Sequence, residues 1–335
     1  MRTIPGEEMK SISGEEISSE TVTNAPALPL TVAMPRARGP LDLLRDYAQL
    51  TKIRVTTLVV VTAWCGFFFG QHKSGLPVLS LNLLWALAGI GMVSAGTACM
   101  NEIIERKSDA LMQRTARRPL VTHSLGVWHA IAIWAVLTAC GTAILSLRLN
   151  LLTALLTLLT AATYLLIYTP LKKISPLCTF VGAFPGAMPG VLGWTAARGQ
   201  LDYEAFVLFA IVFFWQFPHF HAIALLYRDD YARAGIRMLP VVESDGRSTA
   251  RQILMYGAAL LPTTLAPTML GMTGLTYFIG ASVLGLGLFY FCARIWSECL
   301  PPSSPESRIL ARVLLKATVT YLPLLFALMM FNSVA

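Results

Sequence analysis

Charge is what this sequence lacks. Asp, Glu, Lys and Arg make up only 13% of its 335 residues, and hydrophobic residues make up 55%. An average soluble domain carries about 25% charged residues, spread finely enough to cover its surface. Here the few charges are bunched and the stretches between them are almost free of charge, which excludes an ordinary soluble fold and points to a polytopic membrane protein. Paired cysteines are missing as well. The six present (Cys65, Cys99, Cys140, Cys178, Cys292, Cys299) form no CxxC, and four lie inside apolar runs. This argues against a disulfide framework or a zinc site and for small buried thiols. The formal net charge of +8 would suit nucleic acid in a soluble protein. In a membrane chain a basic excess reports topology instead, so no nucleic-acid partner is expected.

The first 40 residues hold no apolar run, and Glu7, Glu8, Glu15, Glu16 and Glu20 stand there among serines and threonines. That composition predicts a disordered acidic tail over 1–40. It does not fit a signal peptide or a mitochondrial transit sequence. The remainder, 41–335, reads as one membrane domain.

What is abundant is apolar length. A bilayer core of about 30 Å needs about 20 mostly apolar residues per helix. Nine segments answer to this, near 55–70, 80–100, 127–147, 151–168, 177–197, 204–226, 252–270, 273–292 and 312–331. The fold class expected is therefore all-α, a nine-transmembrane-helix bundle. The gap at Arg148–Asn150 is short enough to make the third and fourth spans a helical hairpin. With the N-terminus inside, 23 of the 26 Lys and Arg residues fall on the cytoplasmic side, and only Lys73, Arg148 and Arg198 fall opposite. The positive-inside rule then predicts a cytoplasmic N-terminus and a C-terminus on the other face.

Seven of the 18 acids gather in two loops on that cytoplasmic side. The first reads NEIIERKSDALMQRTARRPL over 101–120. Asn101, Glu105 and Asp109 stand at i, i+4 and i+8, so a helix continuing through them sets three hard oxygen ligands along one face. Such a comb suits Mg2+, which shares its coordination with waters and substrate phosphates. Arg114, Arg117 and Arg118 follow, and guanidinium forks match phosphate oxygens. The alternative is a solvated loop laced with surface ion pairs.

The second loop reads WQFPHFHAIALLYRDDYARAGIRMLPVV over 215–242. Asp229 and Asp230 are candidates for a second metal site facing the first. His219 and His221 lie upstream, within the span after Pro218, where an ionisable residue defaults to function. At i, i+2 they cannot share one helix face, so at most one points into a cavity. A hydrogen-bonded structural histidine is the competing view. A third element, YTPLKK at 168–173, brings Tyr168, Lys172 and Lys173 to the same side, as phosphate-binding groups or simply as positive-inside anchors. The segment 175–194 after it carries three prolines and four glycines, as expected of a helix that lines a cavity or packs closely on its neighbours.

Together these residues resemble the UbiA-like intramembrane prenyltransferases. The NxxxE…D comb followed by RTxxRPL is similar to that family's first aspartate-rich motif, and YTPLKK resembles its tyrosine–lysine element. The 215–242 segment is similar to the one marking the branch of protohaem IX farnesyltransferases, or haem O synthases. The resemblance covers about residues 45–331 and leaves out only the tail. It implies a metal site of Asn101, Glu105, Asp109, Asp229 and Asp230, all five also catalytic. Arg114, Arg118, Tyr168, Lys172 and Lys173 would bind the diphosphate, and His219 and His221 would contact haem. Glu105 departs from the pattern, standing where aspartate is common, and the second motif lacks a full DxxxD.

By the same resemblance the substrates are farnesyl diphosphate and haem b, the cofactor Mg2+, the setting a lipid bilayer (the bacterial inner membrane), and the downstream acceptor of the product a haem A synthase. Phe213, Phe214, Trp215 and Phe220 are candidates to stabilise an allylic cation. The rival within the family prenylates an aromatic quinone precursor and has no need of the two histidines. A secondary transporter, the rival from another class, would carry charges near the midplane, where these spans have almost none.

Overall fold

The computed structural model describes residues 39–334. The acidic tail expected over 1–40 lies, but for its last two residues, outside the described residues. Among the described residues the fold is all helical, and no β-strand occurs.

Apolar residues exclude water from the backbone, so each long run closes its own hydrogen bonds as a helix. A short α1 (Pro40–Leu50) leads into α2 (Ile53–Lys73), with Lys52 between them in the left-handed region at φ 47°. Ser80 caps α3 (Leu81–Asp109) by accepting the Leu83 N–H at 3.4 Å. At 29 residues α3 is about 43 Å long, so it outruns the bilayer core and carries the 101–109 comb on helical spacing. α4 (Val127–Arg148) turns at Leu149–Asn150 into α5 (Leu151–Ala162), and Asn150 caps α5 by accepting the Thr153 N–H at 2.9 Å. The two pack as the expected hairpin. α5 continues through a π-helical turn (Thr163–Tyr168) into α6 (Thr169–Leu171).

Next come α7 (Cys178–Arg198), α8 (Tyr203–Leu226), the short α9 (Arg228–Arg233) and α10 (Leu239–Val242), then α11 (Arg247–Met269), α12 (Leu275–Glu298) and α13 (Pro305–Phe331). The helices α3, α4 and α5 pack on one side of the α2–α7 pair, and α8, α11, α12 and α13 pack among themselves on the other. Leucines, valines and aromatics cover much of the outward-facing surface, Leu58, Val136, Leu159, Val283 and Leu286 among them.

Among the described residues nine long helices overlie the nine expected spans. Seven are long and apolar enough to cross a membrane: α2, α3, α4, the continuous Leu151–Leu171, α8, α12 and α13. The chain is a multi-pass membrane protein. The expectation of nine spans is narrowed here, because α7 and α11 fall short in hydropathy. Glycines and prolines dilute α7, while α11 opens with polar and basic residues.

α7 is covered by protein rather than by lipid, with most of its residues from Ala187 to Ala196 buried. A Cβ added at Gly193 would sit 1.8 Å from the Ala63 carbonyl oxygen, and one at Gly66 would sit 1.9 Å from that of Gly190. The backbones of α2 and α7 therefore touch, which is the small-residue packing that holds helices together where water gives no hydrophobic push.

Candidate active site

The C-terminal end of α3 collects the polar groups. Asn101 is fully buried; its Oδ1 accepts from Lys52 Nζ, and its Nδ2 donates to Thr169 Oγ1 at 3.1 Å. One turn on, Glu105 accepts from Lys172 Nζ at 2.6 Å, and that ammonium also lies over the Tyr168 ring at 4.4 Å. A turn further, Asp109, 1% exposed, accepts from Arg118 Nη1 at 2.5 Å. The comb is therefore neither solvated nor idle, since each member has met a partner from another segment. Burial alone would lower the Lys172 pKa, but Tyr168 and the Glu105 carboxylate outweigh it and raise it well above the ordinary lysine value.

The loop after α3 folds back over the helix end. Thr115 Oγ1 donates to the Asp109 carbonyl at 2.9 Å, and the Leu120 N–H reaches Glu102 Oε1 at 3.4 Å. Asp230 holds the same loop from the far side by accepting the N–H groups of Gln113 and Arg114 at 3.3 and 3.2 Å, and it pairs with Arg233. Arg114 is thereby set over the Tyr227 ring at 5.1 Å. The Arg237 N–H donates to the Lys172 carbonyl at 2.7 Å, tying the segment after α9 to the tyrosine–lysine element. Three motifs are stitched into one polar end by bonds between residues 65 to 117 apart in the sequence.

The structure parts the two acids of the second motif, which were expected to ligate one metal. Asp230 is buried and occupied by the loop, while Asp229 is exposed and bonds Arg308 of α13 at 2.6 Å. Neighbours on a helix point about 100° apart, and the two carboxylates accordingly meet different partners. Lys173 is exposed, unlike Lys172. The histidines diverge as well. His219 Nδ1 lies 3.0 Å from Thr318 Oγ1 on α13, and His221 Nε2 lies 2.9 Å from Gln252 Oε1 on α11. The aromatics named from the sequence also divide. Phe213 and Phe214 join a ladder with Phe180, Phe184, Phe209 and Phe217, whereas Trp215 and Phe220 flank His219.

Among the described residues no group of three or more His, Cys, Asp or Glu stands close enough to hold an ion unaided. Of the three buried carboxylate oxygens without a hydrogen-bond partner among the described residues, two, Asp109 Oδ1 and Glu102 Oε2, lie at this end of α3. A hard cation that draws its remaining ligands from substrate phosphate fits both facts. Lys52 and Thr169 escaped the sequence reading, and Glu102 was counted there among the clustered acids without a role of its own. Lys52 carried one signal, as a cation at the very start of the first span, but its partner is 49 residues away.

Residues 59–304 match the UbiA prenyltransferase family. The chain belongs to that family. A protoheme IX farnesyltransferase from Koribacter versatilis (strain Ellin345) is 62% identical over 301 residues, covering 90% of this chain and 97% of its own. Another protoheme IX farnesyltransferase, from Solibacter usitatus (strain Ellin6076), is 46% identical over 295 residues, covering 86% and 99%. The fold is similar to that of a UbiA homolog from Archaeoglobus fulgidus bound to DMAPP and Mg2+, at a TM-score of 0.58 and 15% identity over 83% of this chain and 99% of that one.

Proposed function

We propose that the protein transfers the farnesyl group of farnesyl diphosphate to a vinyl group of haem b, releasing diphosphate and giving haem O. The observation that carries this is the interleaving, at one end of α3, of Asn101, Glu105 and Asp109 with Lys52, Arg118 and Lys172. Hard oxygens alternate with cations there, as a metal–diphosphate pair requires. The branch, and with it haem as acceptor, is supported by relatives at 62% and 46% identity.

Asn101, Glu105 and Asp109 hold Mg2+ in this reading, with Glu102 beside them, and Mg2+ supplies positive charge to the diphosphate oxygens. Arg114, Arg118 and Lys172 neutralise what remains, and the Tyr168 ring steadies the Lys172 ammonium. Asp229 and Asp230 act at one remove: Asp230 positions the arginine loop, and Asp229 fixes Arg308. As the C1–O bond of the farnesyl group breaks, its electron pair leaves with diphosphate, and these cations stabilise the charge that develops. The allylic cation left behind is met by apolar and aromatic walls, with Phe213 and Phe214 in the ladder on α8, which keep water from it. The haem vinyl group attacks C1 and forms the new C–C bond. Water then adds to the resulting cation and loses a proton, giving the hydroxyethylfarnesyl side chain.

The enzyme sits in the bacterial inner membrane with its basic face and N-terminus cytoplasmic and its C-terminus opposite, and a haem A synthase takes up the product. Purified protein supplied with farnesyl diphosphate, Mg2+ and either haem b or 4-hydroxybenzoate should farnesylate haem alone, as read by mass spectrometry. Prenylation of only the benzoate would reject the acceptor.

A further inference from the structure

We infer that α1 is a membrane-surface helix. Its unpartnered apolar face rests in lipid at the boundary between headgroups and acyl chains, and that seat holds Lys52 on Asn101. What Lys52 does there rests on the diphosphate role proposed for it; the seat of α1 does not.

At about 100° per residue, Leu50, Leu43, Tyr47, Leu44, Ala48 and Leu41 follow one another round about half of the α1 circumference, and Arg45, Gln49, Asp42 and Asp46 fill most of the rest. Protein covers only one edge of the apolar half. Leu50 is fully buried with Cys99 of α3 and Ala130 of α4, Tyr47 packs beside it, and the Tyr47 hydroxyl lies 2.7 Å from His129 Nε2. The other edge is open: Leu41 is 70% exposed and Leu44 65%. What covers it follows from where the chain goes next. Only Thr51 and Lys52 separate α1 from α2, a spanning helix on which Ile53, Val55 and Leu58 are each more than half exposed. Those side chains face acyl chains from the first turn, so α1 leaves α2 at the level where lipid begins. A half-apolar helix at that level lies along the surface with its apolar side down. With two acids against one base, α1 is seated by apolar burial rather than by attraction to anionic headgroups.

Lys52 is the joint between the two helices, and it is stiff. Its backbone is left-handed (φ 47°, ψ 51°), a conformation that a residue other than glycine keeps only where its surroundings enforce it. They do so from both sides. Its N–H donates to the Gln49 carbonyl of α1 at 2.9 Å, and its own carbonyl accepts from the Val55 and Thr56 N–H groups of α2 at 2.8 and 3.1 Å. Two hydroxyls brace the same turn: Thr51 donates to the Tyr47 carbonyl at 2.8 Å, and Thr56 donates to the Thr51 carbonyl at 2.9 Å. A joint bonded to both helices turns with them. A shift of α1 therefore swings the Lys52 ammonium away from Asn101, which it meets across 49 residues of sequence. The bilayer thus sets one cation of the polar end through a helix that lies outside the spans.

The test uses the full-length protein in phosphatidylcholine vesicles, with Cys140 and Cys299, the two thiols that are not buried, changed to Ser. A spin label is attached in turn to Leu41→Cys, Leu44→Cys and Gln49→Cys. Its accessibility to oxygen, which partitions into lipid, is compared with that to a water-soluble nickel chelate. The ratio should be severalfold higher at positions 41 and 44 than at 49, and equal ratios overturn the seat. Two other occupants would overturn it as well. Spin–spin broadening at position 44 that vanishes on dilution with unlabelled protein would put a second copy there, and a ratio that changes when residues 2–35 are removed would put the preceding segment there. For the joint, Leu41→Glu with Leu44→Glu should weaken binding of diphosphate with Mg2+, read by calorimetry, by about fivefold, the low end for coupling between separate sites. Leu41→Met with Leu44→Met should not. Unchanged binding in a Glu variant that elutes as a monodisperse species overturns the hold on Lys52. A wild type that binds no diphosphate rejects the proposed role of the polar end, while the label ratios still decide the seat of α1.

Discussion

Asp109 combines near-complete burial with one carboxylate oxygen that nothing in the protein claims. An uncompensated buried oxygen costs free energy, so its retention fits a ligand brought in from outside. Asp109→Asn preserves the shape and removes the charge. Turnover should fall by roughly 10²–10³, the scale of losing one preorganised electrostatic contact, while the thermal midpoint in detergent changes little; unchanged turnover would reject the metal comb. Lys172 should resist alkali. Its folded pKa is raised, so its ion pair with Glu105 contributes fully below the unfolded value of about 10.4 and is lost only as pH rises through the higher folded value. Between pH 8 and 10 the KM for diphosphate should accordingly not climb through this group. At this scale the sequence was informative about helix-borne residues, since i, i+4, i+8 fixes a face wherever the helix continues. It was silent on partners 49 to 117 residues away, because pairing at that range depends on how whole helices pack. Asp230 is the clearest case: nothing in the sequence signals that its carboxylate accepts from two loop N–H groups more than a hundred residues away.

Between elements, the decisive contact is backbone on backbone. Gly193→Ala would press a methyl group against the Ala63 carbonyl at 1.8 Å, and neither helix can yield without moving the half of the bundle packed on it. Overpacking of this kind costs about 1–3 kcal/mol, so the thermal midpoint should drop well below that of Gly287→Ala, where a Cβ meets nothing within 4 Å. Equal midpoints would show that α2 and α7 are not in contact. The loop clasp gives a second prediction. Asp230→Asn should raise the KM for farnesyl diphosphate and speed amide exchange at Gln113 and Arg114, while haem affinity is unchanged; if exchange stays slow, Asp230 is not the clasp. The glycines and prolines of α7 marked close packing in the sequence, but nothing in one chain's composition says which helix comes close.

For the whole molecule, scarcity of charge identified a membrane bundle at once, and among the described residues seven of the nine expected spans are long and apolar enough to cross a bilayer. The two that fall short of a spanning hydropathy, α7 and α11, show why such counts are soft at the centre of a bundle. A helix surrounded by other helices need not be as apolar as lipid, since its neighbours satisfy what lipid cannot. Every site side chain discussed here lies between Lys52 and Thr318. Removing residues 2–35 should therefore leave turnover unchanged, and a large loss would give that segment a role of its own.

The stitching of distant segments also sets an order of events during biogenesis. Asn101 is made 68 residues before Thr169, and His219 is made 99 residues before Thr318. At about 5–20 residues per second, each emerges from the ribosome several seconds ahead of the group that satisfies it. Early helices must therefore wait in the membrane with buried polar atoms unpaired. The His219 ring meets its Thr318 partner only when α13 is inserted. A nascent chain stalled before that point would hold the paired polar end of α3 and a His219 still without Thr318.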